Sequence, residues 1–287
     1  MLDLILAGVT GPVWRATRRR IAGGRSLTRP NAARFCGLPD DGPARSHGAW
    51  RTTNRSDVLE VKAGLSVWDF RVICLDMDGT VIQNECIDDM AALHGAWARR
   101  SSVTRRHGGR HEAHLRRKPR KARRLPQGRP VSVIDEALAS VRLQPGAARL
   151  IDFCNAHGIR SYVLSGGFTH FTHAIATRLG MTGDFSNMLG IDAERGVLTG
   201  TVTGPAGGRI LDADGKRRTL EILCHQAGAT LEQAIAAGDG ANDLEMIGAA
   251  ALGIAYHAKP VVRAQARLAV TASGLDAITL LFIEAWR

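Results

Sequence analysis

From residue 71 onward the apolar positions fall into short unbroken runs that alternate with longer stretches of helical spacing. RVICLD (71–76), RSYVLS (160–165), QAIAAGD (233–239) and LGIAY (252–256) read as strands buried on both faces. FTHFTHAIATRLG, RRTLEILCHQAG, NDLEMIGAA and KPVVRAQAR follow them with amphipathic helical spacing, and VSVIDEALASVRLQPGAARLIDFCNAHGI shows it with a break at Pro145. Residues 187–211 have a hairpin-like pattern, IDDMAALHGAW starts a helix, and residues 1–12 read as a short strand. Strands alternating with helices of about 10–15 residues predict an α/β architecture, a parallel sheet between helices. Two stretches break the pattern: 13–56, rich in Arg, Gly and Pro, and 99–129. The expected division is an ill-defined N-terminal region at 1–65, a remnant of a small α+β domain, and a core at 66–287 with an insertion at about 84–143.

The chain has 287 residues, 45% of them hydrophobic, which suffices for a sizeable core and excludes a wholly disordered, collagen-like or disulfide-dense protein. Its net charge of +11 would suggest nucleic acid or an anionic membrane as partner. Residues 99–129 alone carry 13 basic residues and one acidic, so the rest is nearly neutral. Five scattered cysteines without a CxxC pair point to reduced thiols, with neither a zinc site nor a disulfide frame. No stretch approaches the ~18–20 apolar residues of a membrane span, and the expected location is the cytoplasm.

The chemistry-bearing residues sit at the ends of the strands, where open parallel sheets bind ligands. Asp76 and Asp78 flank Met77 after the first strand, and residues i and i+2 of extended backbone face one side. Two such carboxylates repel unless a cation or unequal pKa values settle them. Ser165-Gly166-Gly167 follows the second strand and is expected to open a helix whose free N–H groups face an anion. Lys216, just before another helix, could supply a fixed positive charge, and Asp239-Gly240-Ala241-Asn242-Asp243 adds carboxylate oxygens of the kind Mg²⁺ prefers. Singly, each of these is what an ordinary surface turn or solvated charge offers; their order along the chain is specific.

DMDGTVIQNECIDDMA, VLSGGFTHF, GPAGGRILDADGKRRTL and AAGDGANDLEMIGAAALGIAYHAKP resemble the bacterial phosphoserine phosphatases of the haloacid dehalogenase superfamily, over about residues 66–98 and 131–283. The resemblance implies a Rossmann-like core with a small helical cap, and Mg²⁺-dependent hydrolysis of O-phosphoserine, a small-molecule substrate. It makes Asp76 the nucleophile that forms an aspartyl phosphate and Asp78 the general acid, then base. Mg²⁺ falls to Asp76, the Asp78 carbonyl and Asp239, with Asp243 in support. Ser165, Gly167 and Lys216 go to the phosphate, Gly166 and Asn242 to substrate binding with Asn242 orienting the site, and Glu85 to the substrate ammonium; read alone, Glu85 is a helix-start charge. Gly79 stands where many relatives have Ser. His94, His170 and His173 receive no role, lacking metal-ligand spacing.

The family's cap should fill the space before VSVIDE, but its Met-Arg-Gly-Glu run, whose Arg clamps the substrate carboxylate, is missing; Arg110 lies near that offset. Three readings compete for residues 99–129. A nucleic-acid-binding arm is favoured by charge alone and lacks aromatic residues to stack on bases. A solvated insertion is the second. The third is a stretch translated out of frame: Leu115–Pro119 can be encoded so that the next frame reads Phe-Ala-Glu-Ser, as in the family's cap. Residues 13–56 are expected to share that origin, and a chain with such a cap is expected to work poorly.

Overall fold

The computed structural model describes residues 1–8, 25–38, 56–93 and 127–286. Strands β5 (Val72–Leu75), β6 (Arg160–Phe168), β7 (Gly183–Asp192), β9 (Ala234–Gly238), β10 (Leu252–Tyr256) and β11 (Leu268–Val270) form a parallel sheet, with β8 (Val197–Thr203) antiparallel at one edge. The order is β11-β10-β9-β5-β6-β7-β8. The central strands β5, β9 and β10 are buried along their whole length, which is why they read as unbroken apolar runs.

Helices α1 (Cys86–Ala92), α2 (Ser132–Ala139), α3 (Ala147–Ala156), α4 (Thr169–Leu179), α5 (Ala213–Gln226), α6 (Leu244–Ala249) and α7 (Pro260–Gln265) complete this body. Each of the longer ones turns a stripe inward: α3 buries Ala147, Leu150, Ile151 and Cys154, and α4 buries Phe171, Thr172, Ile175, Ala176 and Leu179. α1 and α2 pack on one another on either side of residues 94–126, which lie outside the described residues. So do His94, Arg110 and all of the basic stretch except residues 127–129. Those last residues are ordered against the hairpin: Gly128 N–H donates to the Leu198 carbonyl at 2.8 Å and Leu198 N–H to the Arg129 carbonyl at 2.7 Å.

The stretch 13–56 holds structure that its pattern did not announce. β2 (Arg25–Arg29) and β3 (Ala32–Leu38) form a hairpin across Pro30-Asn31. With β1 (Leu2–Ala7) and β4 (Asp57–Lys62) they make a second, antiparallel sheet of order β2-β3-β1-β4. The alternation is masked because a charged residue takes an inward position: Arg34 is fully buried beside Phe35 and Ala33. Residues 13–24 and 39–55 lie outside the described residues. Among the described residues the five cysteines form no disulfide, and no described helix is long and apolar enough to cross a membrane.

Candidate active site

The C-terminal ends of β5, β6 and β9 open onto a cavity of about 640 Å³. Asp76, Asp78, Glu85, Ser165, Gly166, Gly167, Lys216 and Asn242 all line it, so the sequence motifs converge on one place.

Asp76 prolongs β5 by one step, its N–H donating to the Ala237 carbonyl at 2.9 Å, and its side chain is buried. The chain then turns tightly over the Met77 carbonyl, which accepts the N–H groups of Thr80, Val81 and Ile82 at 2.9–3.2 Å. Gly79 sits in that turn, held from behind by the Gln144 side chain, whose Nε2 donates to the Gly79 carbonyl at 3.1 Å. Asp78 thus points at the same cavity as Asp76, and its Oδ1 accepts the Cys86 N–H at the start of α1, at 3.1 Å. Burial, the adjacent Asp76 charge and Glu85 push the Asp78 carboxyl up to about 7, against the opposing pull of the Cys86 N–H. Glu85 occupies the N-cap of α1 without capping it through its side chain, and it is exposed toward the cavity.

Two expectations about elements change. Ser165-Gly166-Gly167 does not open a helix: β6 runs through it to Phe168 and α4 begins at Thr169. The Ser165 Oγ accepts the Gly167 N–H at 2.9 Å, which bends the strand end toward the cavity. Lys216 does not precede its helix but lies in the first turn of α5, because Asp212 caps that helix by accepting the Gly215 N–H at 2.9 Å. The capped turn carries Lys216 inward, where it is 1% exposed and bridges Asp76 Oδ1 at 2.5 Å and Asp243 Oδ1 at 2.6 Å. Burial alone would lower the Lys216 pKa, but the Asp243 and Asp76 carboxylates together hold it above its ordinary value. Asp243 is raised to about 6 by burial and the Asp76 charge, with Lys216 pulling the other way.

Carboxylate oxygens of Asp76, Asp239 and Asp243 all lie within 4.8 Å of one another. Gly79 gives Asp239 this room, since a Cβ there would lie 3.0 Å from the Asp239 carboxylate. Among the described residues, Lys216 is the one lysine or arginine lining a cavity that also holds the carboxylates of Asp76, Asp78, Glu85, Asp88, Asp212, Asp214 and Glu245. An all-oxygen donor set with that excess of negative charge suits a hard divalent cation. The buried Asn242 Oδ1, which has no hydrogen-bond partner among the described residues, is a further acceptor in the same place. Asn187, Leu211 and Asp212 line the cavity too and were not anticipated. Leu211 and Asp212 lie in the GPAGGRILDADGKRRTL run, where they received no role, and the signal for Asn187 is Ser186-Asn187, two consecutive polar residues inside a strand, both buried.

Residues 70–251 match the haloacid dehalogenase-like hydrolase family. The chain is 41% identical over 213 residues to a phosphoserine phosphatase of a Polaromonas species, covering 74% of this chain and 89% of that one. A probable phosphoserine phosphatase from Vibrio cholerae superposes with a TM-score of 0.77 at 27% identity, covering 100% of this chain and 90% of the other. A HAD family hydrolase from Salmonella enterica serovar Typhi superposes with a TM-score of 0.82 at 25% identity, over 99% of each chain, so the likeness extends to the N-terminal sheet. With residues 70–251 matching that family and 41% identity over most of both chains, the chain belongs to the phosphoserine phosphatases among the haloacid dehalogenase-like hydrolases.

Proposed function

We infer that this chain hydrolyses O-phospho-L-serine to L-serine and phosphate, the step that releases the finished amino acid. The observation that carries this reading is the convergence of Asp76, Asp78, Ser165, Gly167 and Lys216 on one cavity, in a chain 41% identical to a phosphoserine phosphatase. An Asp76 oxygen attacks phosphorus and the P–O bond to serine breaks, leaving an aspartyl phosphate. The Asp78 carboxyl, raised to about 7 by burial and Asp76, gives its proton to the departing serine oxygen. Asp78 then takes a proton from the water that attacks the phosphoryl group, which restores Asp76 and frees phosphate.

Lys216 stays protonated between Asp76 and Asp243, and so offers positive charge to the phosphoryl oxygens as charge shifts onto them. The Ser165 hydroxyl and the Gly167 N–H now bond to each other at 2.9 Å and can turn to the phosphate. Asp76, Asp239 and Asp243, with the Asp78 carbonyl, would hold Mg²⁺, which supplies charge neutralisation for a dianionic phosphate beside so many carboxylates. Glu85 at the cavity edge meets the substrate ammonium, and Asn242 orients the phosphate. Five cysteines without a disulfide among the described residues suit a reducing compartment, and we place the protein in the cytoplasm.

The test is phosphate release from phosphoserine with and without Mg²⁺. Wild type turns over only with the metal, and Asp76→Asn loses at least about 10³-fold in rate, as expected when a covalent nucleophile is removed. A folded, Mg²⁺-loaded wild type inactive on phosphoserine but active on another small phosphomonoester would move the substrate while keeping the chemistry.

A further inference from the structure

β6 and β7 pair in step from Tyr162 with Gly183 to Ser165 with Ser186, and their next pair is Phe168 with Asn187. Gly166 and Gly167 therefore stand outside the ladder as a two-residue bulge, and both face the cavity. A bulge strands backbone groups that need partners once buried. Asn187 supplies one: its Nδ2 donates to the Gly166 carbonyl at 3.0 Å, and its Oδ1 accepts the Leu211 N–H at 2.7 Å. Leu211 directly precedes Asp212, the cap of α5, and α5 carries Lys216 in its first turn. The Asn187 side chain, 1% exposed, thus spans the bulge and the start of the Lys216 helix with both ends of one amide.

We propose that Asn187 is a positioning residue for the phosphate subsite, fixing the spacing between the Gly166-Gly167 bulge and Lys216. The proposal rests on the phosphomonoesterase reading above. Those two groups reach the phosphate from elements some 50 residues apart in the chain, and a phosphoryl group is stabilised only by donors already in place. Both side-chain bonds of Asn187 go to backbone groups, the Gly166 carbonyl and the Leu211 N–H, and it acts through them. Its own carbonyl accepts the Thr169 Oγ1 at 3.1 Å, which fixes it to the start of α4.

The experiment uses Asn187→Leu in the full chain, nearly isosteric and unable to make either bond. Inorganic phosphate is titrated by calorimetry, and kcat/KM on phosphoserine and half-saturating Mg²⁺ are measured beside it. Phosphate binding and kcat/KM are expected to fall at least tenfold each, about 1.4 kcal/mol. The Mg²⁺ requirement stays within about twofold, since Asn187 bonds none of the acidic cluster, whereas general loosening of the fold would move both. If Asn187→Leu does not fold, Asn187→Ser removes the same two bonds by shortening the side chain. A folded variant that binds phosphate within about threefold of wild type overturns the proposal. Because phosphate is the probe, a wild type that binds it yet leaves phosphoserine intact would sink the substrate assignment while the Asn187 comparison still decides its own case.

Discussion

In the proposed reaction Asp78 is an acid in one half and a base in the other, and its surroundings set that balance. In the folded protein burial and Asp76 raise its carboxyl from the ordinary 3.8 to about 7. Below pH 4 the group is neutral in both folded and unfolded chains, and the fold suffers no penalty. Between pH 4 and 7 the unfolded chain ionises first, so stability falls as pH rises, and above pH 7 the loss is complete. Asp78→Asn carries no charge to bury. In protein stripped of metal with EDTA, it is expected to be more stable than wild type at pH 8 by about 1–2 kcal/mol, less than the full shift gives because the cavity admits water. The gap should close toward pH 4, as urea denaturation at both pH values will show. An equal gap at the two values would mean that Asp78 is not held in its acid form by the fold.

At the scale of elements, the turn after β5 that carries Asp76 and Asp78 depends on what stands behind it. Gln144 reaches Gly79 from the chain segment that enters α3, and its own N–H donates to the Val81 carbonyl at 2.9 Å. That segment is pinned by the C-terminal stretch: Leu275 N–H donates to the Pro145 carbonyl at 2.7 Å, and a Cβ on Gly146 would lie 2.7 Å from the Asp276 backbone nitrogen. Gly146 and Gly158 bracket α3, both with positive φ, at +83° and +68°, but around Gly158 there is open space. Gly158→Ala is therefore expected to cost about 1 kcal/mol of backbone strain. Gly146→Ala must also displace backbone, and should cost at least about 2 kcal/mol more in urea unfolding. Similar losses at the two ends would show that the C-terminal stretch yields freely. The buried strands and their acidic tips were legible because a central parallel strand admits only apolar side chains and then stops. The bulge at Gly166-Gly167 and the early start of α5 were not. A glycine pair reads alike in a bulge and at a helix start, and the cap at Asp212 becomes visible only when the Gly215 N–H is seen to meet it.

Across the whole molecule, the N-terminal sheet is joined to the catalytic body by charge where the sequence offered no pattern to follow. The Asp57 carboxylate at the start of β4 accepts the N–H groups of Thr271, Ala272 and Ser273, at 2.6–3.2 Å. Glu284 accepts the Ser66 hydroxyl and the Val67 N–H, closing the C-terminal stretch onto the segment that leads to β5. At the centre Arg34 of β3, fully buried, pairs with Asp3 of β1 at 2.7 Å and donates to the Leu281 carbonyl at 3.0 Å. Such contacts join residues from 31 to 247 positions apart, so no local window could reveal them. Arg34→Leu would leave the buried Asp3 carboxylate without the Arg34 guanidinium while it keeps the Gly64 N–H, and should cost about 3 kcal/mol. Adding Asp3→Leu removes the stranded charge and is expected to recover part of that loss, because two apolar residues can replace a buried pair at little net cost. Neither residue lines the catalytic cavity, so kcat/KM per folded molecule should stay near wild type while the urea midpoint drops. If the double variant proves less stable than Arg34→Leu alone, burial of the Asp3 charge is not what makes Arg34 necessary.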